Sequence, residues 1–150
     1  MKIVTIPPIS FLYFTPEPIN HDRCSSLALA GQLYEEAVNW KMPITGAFQF
    51  HYRHFAGQTD PGPLIEVALP VQSFPDEYDG LFQLKRTEQY KCAMSIHLGS
   101  HADIEQTYER LRYHINANGL VLTDYNREVY VAFDAFDSSV SMTIVQIGIA

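Results

Sequence analysis

Two segments of this 150-residue chain carry the three-and-four residue spacing of an amphipathic helix, and each occupies the same place in a repeated order of elements. Leu29, Leu33, Ala37 and Trp40 mark the first, from about Ser25 to Lys41. Pro43 closes it, because proline cannot continue the hydrogen-bond ladder. Ile104, Tyr108, Leu111 and Ile115 mark the second, from 100 to 118. Ser100 with Asp103 resembles a capping box, and Asn118-Gly119 supplies a left-handed stop. Extended runs at 2–6 and 9–15 precede the first helix, and runs at 47–55 and 64–72 follow it. Runs at 81–84 and 90–98 precede the second, and runs at 126–134 and 142–149 follow it. Pro70 suggests an edge or a bulge in its strand. The order is therefore strand-helix-strand-strand twice, broken near residue 76 within the stretch Ser73–Gly80. One such half has too little core to stand alone, so the two must share a sheet or face each other. The prediction is an α+β domain with halves of about 1–75 and 76–150.

Composition supports one globular unit: 47% of residues are hydrophobic and 13% aromatic. The formal net charge is −7 and the densest basic run is only Lys85-Arg86, which argues against direct nucleic-acid binding. No apolar run approaches the length of a membrane span, and Pro7-Pro8 interrupts the apolar N-terminal stretch, which reads as a first strand. Cys24 and Cys92 are isolated, so a reduced, cytoplasmic setting is expected. The six histidines give no chelating pattern, and no nucleophile elbow, phosphate loop or dinucleotide fingerprint is present. Neither a metal nor a cofactor is expected.

The run Asn126–Asp134 alternates with period two. Val129, Val131 and Phe133 would form its core face, with Glu128, Tyr130, Ala132 and Asp134 on the other. An acid beside a phenol is costly to bury ionised without a partner. That partner is either a base of this chain, such as Arg53 or Arg127, or a cationic ligand. Arg127 falls on the opposite strand face and is poorly placed for the task.

Four segments, in order, resemble the GyrI-like small-molecule-binding domain. They are Glu66-Val67-Ala68-Leu69-Pro70-Val71; His97-Leu98-Gly99-Ser100-His101 with Thr107-Tyr108-Glu109-Arg110-Leu111; Arg127-Glu128-Val129-Tyr130; and Thr143-Ile144-Val145-Gln146-Ile147. That family supplies effector-binding modules of AraC-type and MerR-type multidrug-sensing regulators and also occurs as a stand-alone protein. The resemblance implies two pseudo-symmetric strand-helix-strand-strand units sharing antiparallel sheet around a central ligand groove, with Glu128 in the groove. Where the family often has Pro-Tyr after the glycine, this chain has Ser100-His101, so His101 stands in place of an aromatic lining residue.

Pseudo-two-fold symmetry would set Phe50 and Tyr52 across that groove from Glu128 and Tyr130, with Trp40 as a further aromatic candidate. The expected ligand is an amphipathic, cationic aromatic small molecule, bound by a receptor that touches neither nucleic acid nor membrane. Any role in transcription regulation would then run through a separate chain. Two alternatives follow from the resemblance: hydrolysis of strained electrophilic cyclopropanes by the pocket Glu, and interaction with DNA gyrase.

Overall fold

The computed structural model describes residues 1–16, 23–54, 64–132 and 140–150, with side chains in the first helix from residue 28 onward. These residues form eight strands and two α-helices in the order β1 (Lys2–Ile6), β2 (Ser10–Phe14), α1 (Arg23–Asn39), β3 (Gln49–Arg53), β4 (Leu64–Val71), β5 (Gln83–Arg86), β6 (Tyr90–Leu98), α2 (Ile104–Ala117), β7 (Leu122–Ala132) and β8 (Met142–Ile149). All eight strands form one antiparallel sheet in the order β1-β6-β8-β7-β3-β4-β2-β5.

That order reads as two copies of one unit. β2-α1-β3-β4 and β6-α2-β7-β8 give the spatial triplets β2-β4-β3 and β6-β8-β7, which meet back to back at the β3–β7 ladder. The strand ahead of each unit crosses over: β1 borders β6, and β5 borders β2. The α+β class and the shared antiparallel sheet agree with the sequence reading.

Phe50 and Tyr52 differ from it. They were expected across a groove from Glu128 and Tyr130, yet β3 and β7 are direct hydrogen-bonded neighbours. Phe50 therefore sits opposite Glu128, and Tyr52 opposite Asn126, on one face of the sheet. The pseudo-symmetry relates adjacent strands rather than facing walls.

Both helices cover the same face. Val67, Phe50, Glu128 and Val145 are successive cross-strand partners and so share a side of the sheet. α1 packs over Val67 and Phe50, together with Leu12, Leu33 and Leu69. α2 packs over Val145, with Ile147, Ala93, Leu111 and Ile115. Two apolar clusters result, and Glu128 lies in the row between them.

Local boundaries have local causes. α1 ends at Asn39, because Lys41 turns left-handed (φ 56°) and Met42 N–H reaches back to Ala37 O at 2.8 Å. Gly119 (φ 68°) ends α2, with Leu120 N–H on Ile115 O at 3.0 Å. Ser100 caps a short 3-10 turn at His101–Asp103 that leads into α2, its hydroxyl accepting from Ala102 N–H at 3.2 Å. Pro70 lies past the end of the β3 ladder, which stops at Ala68; there its carbonyl accepts from Thr45 N–H at 3.1 Å, so no bond to β3 is lost at the proline. A β-bulge in β7 between Leu122 and Asn126 brings Thr123 and Tyr125 against Gly148, where a Cβ would lie 2.2 Å from Thr123 Oγ1.

The face assignment of β7 is a correction. Val131 is 44% exposed and Val129 only half-buried, whereas Glu128 and Tyr130 lie under the helices. Apolar residues alternate with polar ones here, but under the helices the burial follows Glu128 and Tyr130. Phe133 and Asp134 lie outside the described residues.

Candidate functional site

Glu128 is 3% exposed. A carboxylate at that depth needs donors, and the two helix-bearing halves supply them. Tyr130 Oη, two residues along the same strand face, donates to Oε1 at 2.9 Å. Tyr52 Oη donates to the same oxygen from β3 at 3.3 Å, and His101 Nε2 from the turn ahead of α2 at 2.9 Å. Tyr108 Oη, one turn into α2, donates to Oε2 at 2.8 Å. Three donors crowd Oε1 while Oε2 holds one, out of about four acceptor positions on a carboxylate.

Burial alone pushes the Glu128 pKa up. The hydrogen bond and charge of His101, then the bonds from Tyr108 and Tyr130, reverse this and hold it below its ordinary value. Tyr108 is pushed far the other way, first by burial and then by the Glu128 charge, so its phenol remains a donor. The site is a carboxylate held by three phenol hydroxyls and the His101 ring.

The aromatic surround continues beneath it. Phe48 stacks on Tyr130 at 5.0 Å with an interplanar angle of 7°, and the His101 ring lies parallel to Tyr130 at 5.8 Å and 9°. Phe50 meets Tyr130 at 4.9 Å. Above Glu128 opens a cleft of about 240 Å³ lined by Tyr52, His54, His101, Ile104, Glu105, Tyr108, Arg112, Asn126 and Glu128. Arg112 is paired with Glu105 at 2.8 Å and lies over the Tyr108 ring, while Glu128 is paired with His101 at 2.9 Å. Asn126 Oδ1 is buried with no hydrogen-bond donor.

Of the residues singled out from sequence, the structure brings Tyr130, Tyr52 and His101 onto Glu128, and His101 against Tyr130. Phe50 touches the group but is sealed in the core beneath it. Trp40 packs edge-on against Tyr78 at 5.0 Å and is not among the residues lining the cleft. The internal partner of Glu128 is neither Arg53 nor Arg127 but His101, 27 residues away in sequence.

Sequence reading missed Tyr108 and Asn126. Tyr108 had been counted as helix core, which it also is; the signal was a phenol rather than a phenyl in a buried stripe, since a buried hydroxyl needs a partner. Asn126 shares the Glu128 face by simple period-two alternation. Among the described residues no group of three His, Cys, Asp or Glu side chains is arranged to hold a metal, and no helix is long and apolar enough to cross a membrane.

No family model matches the chain, and no curated protein matches it. Solved structures do. The C-terminal domain of EcmrR superimposes with a TM-score of 0.80 at 19% identity, covering 99% of this chain and 96% of that one. A hydrolase encoded by lin2189 from Listeria innocua gives 0.69 at 13% identity, covering 99% and 91%. SAV2435 bound to tetraphenylphosphonium gives 0.58 at 13% identity, covering 99% and 93%. At these identities the likeness is one of architecture, and that architecture is consistent with the GyrI-like fold its sequence segments resemble.

Proposed function

We propose that this protein is a receptor for amphipathic, cationic aromatic small molecules, bound in the cleft over Glu128. The observation that carries the reading is an ionised carboxylate, almost fully buried, at the floor of an open aromatic cleft. A cation entering there gains Coulomb attraction in a poorly solvated setting and ~0.5–2 kcal/mol for each tyrosine face it covers. Asn126 Oδ1, an acceptor without a donor, suits a ligand carrying N–H groups near its charge. Flat aromatic walls give non-directional contact, which tolerates varied ligand shapes. SAV2435, a fold neighbour, holds a phosphonium cation with four phenyl groups, which agrees with this chemistry.

Hydrolysis is the weaker reading, although the fold neighbours include hydrolases. A general base works best with a pKa near the operating pH and a free lone pair facing water. Glu128 has its pKa held down and its oxygens engaged by four side chains, which suits a fixed charge better than a proton acceptor. The test is direct: titrate the protein with tetraphenylphosphonium and with tetraphenylborate, its near-isosteric anion. Saturable binding of the cation and none of the anion is expected; equal binding of both, or of neither, overturns the proposal.

A further inference from the structure

The opposite face of the sheet carries a second polar system that the cleft does not use. Arg127 neighbours Glu128 in sequence, so its side chain leaves β7 on the other side. It is 2% exposed, the largest of the fully buried side chains. No carboxylate lies within ion-pair distance of it among the described residues. Its guanidinium is held between rings, 4.2 Å from the centroid of Tyr90, 5.2 Å from Tyr125 and 5.7 Å from Phe11. One side-chain hydrogen bond is made, from Nε to Tyr125 Oη at 3.3 Å. Ring faces recover only part of the cost of dehydrating a guanidinium, and its fork of terminal N–H groups is shaped for two oxygens.

Around it the cations gather. Arg127, Arg53, Lys85 and Arg86 line a cavity of about 370 Å³ with Tyr90, Tyr125, Thr87 and Gln89, against two carboxylates, Glu66 and Glu88. Glu66 is already committed to Lys85. On a chain of net charge −7 this is a local excess of positive charge. The neighbours register it. His51, paired with Arg127 across the β3–β7 ladder, is driven toward the neutral form by burial, then by Lys85 and Arg127. Lys85 is itself pushed down, by burial first; Glu66 opposes this, and Arg127 and Arg53 add to it.

We infer that this cavity is a second binding site, on the face away from the cleft, for a small oxyanion of the carboxylate or phosphate type. Arg127 would form the floor as a bidentate donor. Arg53, exposed and on the same face of the sheet as Arg127, would close over the rim. One strand would then present an acid to a cation on one face and a base to an anion on the other.

The experiment titrates the protein with inorganic phosphate and, separately, with succinate, following the Arg127 Nε–H resonance and the heat of binding. Sodium chloride at matched ionic strength is the control. Saturable binding of either anion beyond the chloride response is expected, and which one binds names the source. The variant Arg53→Gln changes only an exposed side chain and should weaken it about fivefold or more. Glu128→Gln, on the other face, should leave it unchanged. Arg127→Lys should abolish it if the variant folds; if it does not fold, the rim variant decides. Chloride-like responses to both anions, or undiminished binding by the rim variant, overturn the inference.

Discussion

Tyr108 Oη on α2 donates to Glu128 Oε2 on β7 at 2.8 Å, which ties the second helix to the central strand through a charge. Hydrogen bonds to ionised groups contribute about 1.5–3 kcal/mol each. Tyr108→Phe keeps the ring in the core and removes only the donor. The loss of stability should fall in that range, read from urea midpoints at neutral pH. A change under about 0.5 kcal/mol would mean that the carboxylate finds water or another donor at no cost.

Glu128 also makes stability depend on pH. Its carboxyl is more acidic folded than unfolded, so as pH falls the unfolded chain takes up the proton first. The stabilisation is complete above the ordinary carboxylate range of ~4–5 and is lost as pH falls through it toward the depressed folded value. Glu128→Gln should therefore be the less stable protein at pH 7, and the gap from wild type should narrow on acidification. Urea unfolding of both proteins across the acid limb measures it. Parallel acid limbs would show that Glu128 is not the linked group.

That expected loss at pH 7 depends on the partners of Glu128, since removing an unpaired buried charge would leave the fold as stable or more so. The charge is paired, and its partners show why sequence did not reveal them. Tyr130 was legible, because two-residue spacing on a strand fixes a shared face. The helices and their stripes were legible for the same reason: periodicity is local. Tyr108, His101 and Tyr52 meet Glu128 from elements 20, 27 and 76 residues away, and only the strand order and the seating of α2 decide that. The resemblance placed His101 near the groove but not against the carboxylate. The buried side of β7 was misread because Val129 and Val131 are apolar, while the helices cover the face of Glu128 and Tyr130.

Trp40 separates core from cleft. It packs on Tyr78 beside the first apolar cluster, so its loss should cost packing rather than affinity. Trp40→Phe is expected to lower the melting temperature while leaving the dissociation constant for a cationic ligand within about twofold, ~0.4 kcal/mol. A tenfold weakening without loss of stability would place Trp40 in the site.

The most direct test compares wild type and Glu128→Gln in titrations with tetraphenylphosphonium and with neutral triphenylphosphine oxide, under conditions where both proteins are folded. If the buried carboxylate is the cation-selective element, the substitution weakens the phosphonium by about tenfold or more, ~1.4 kcal/mol, and changes the neutral compound by less than about twofold. Equal losses for both compounds, or no loss for either, would contradict that assignment and leave Glu128 as a structural anchor between the two halves.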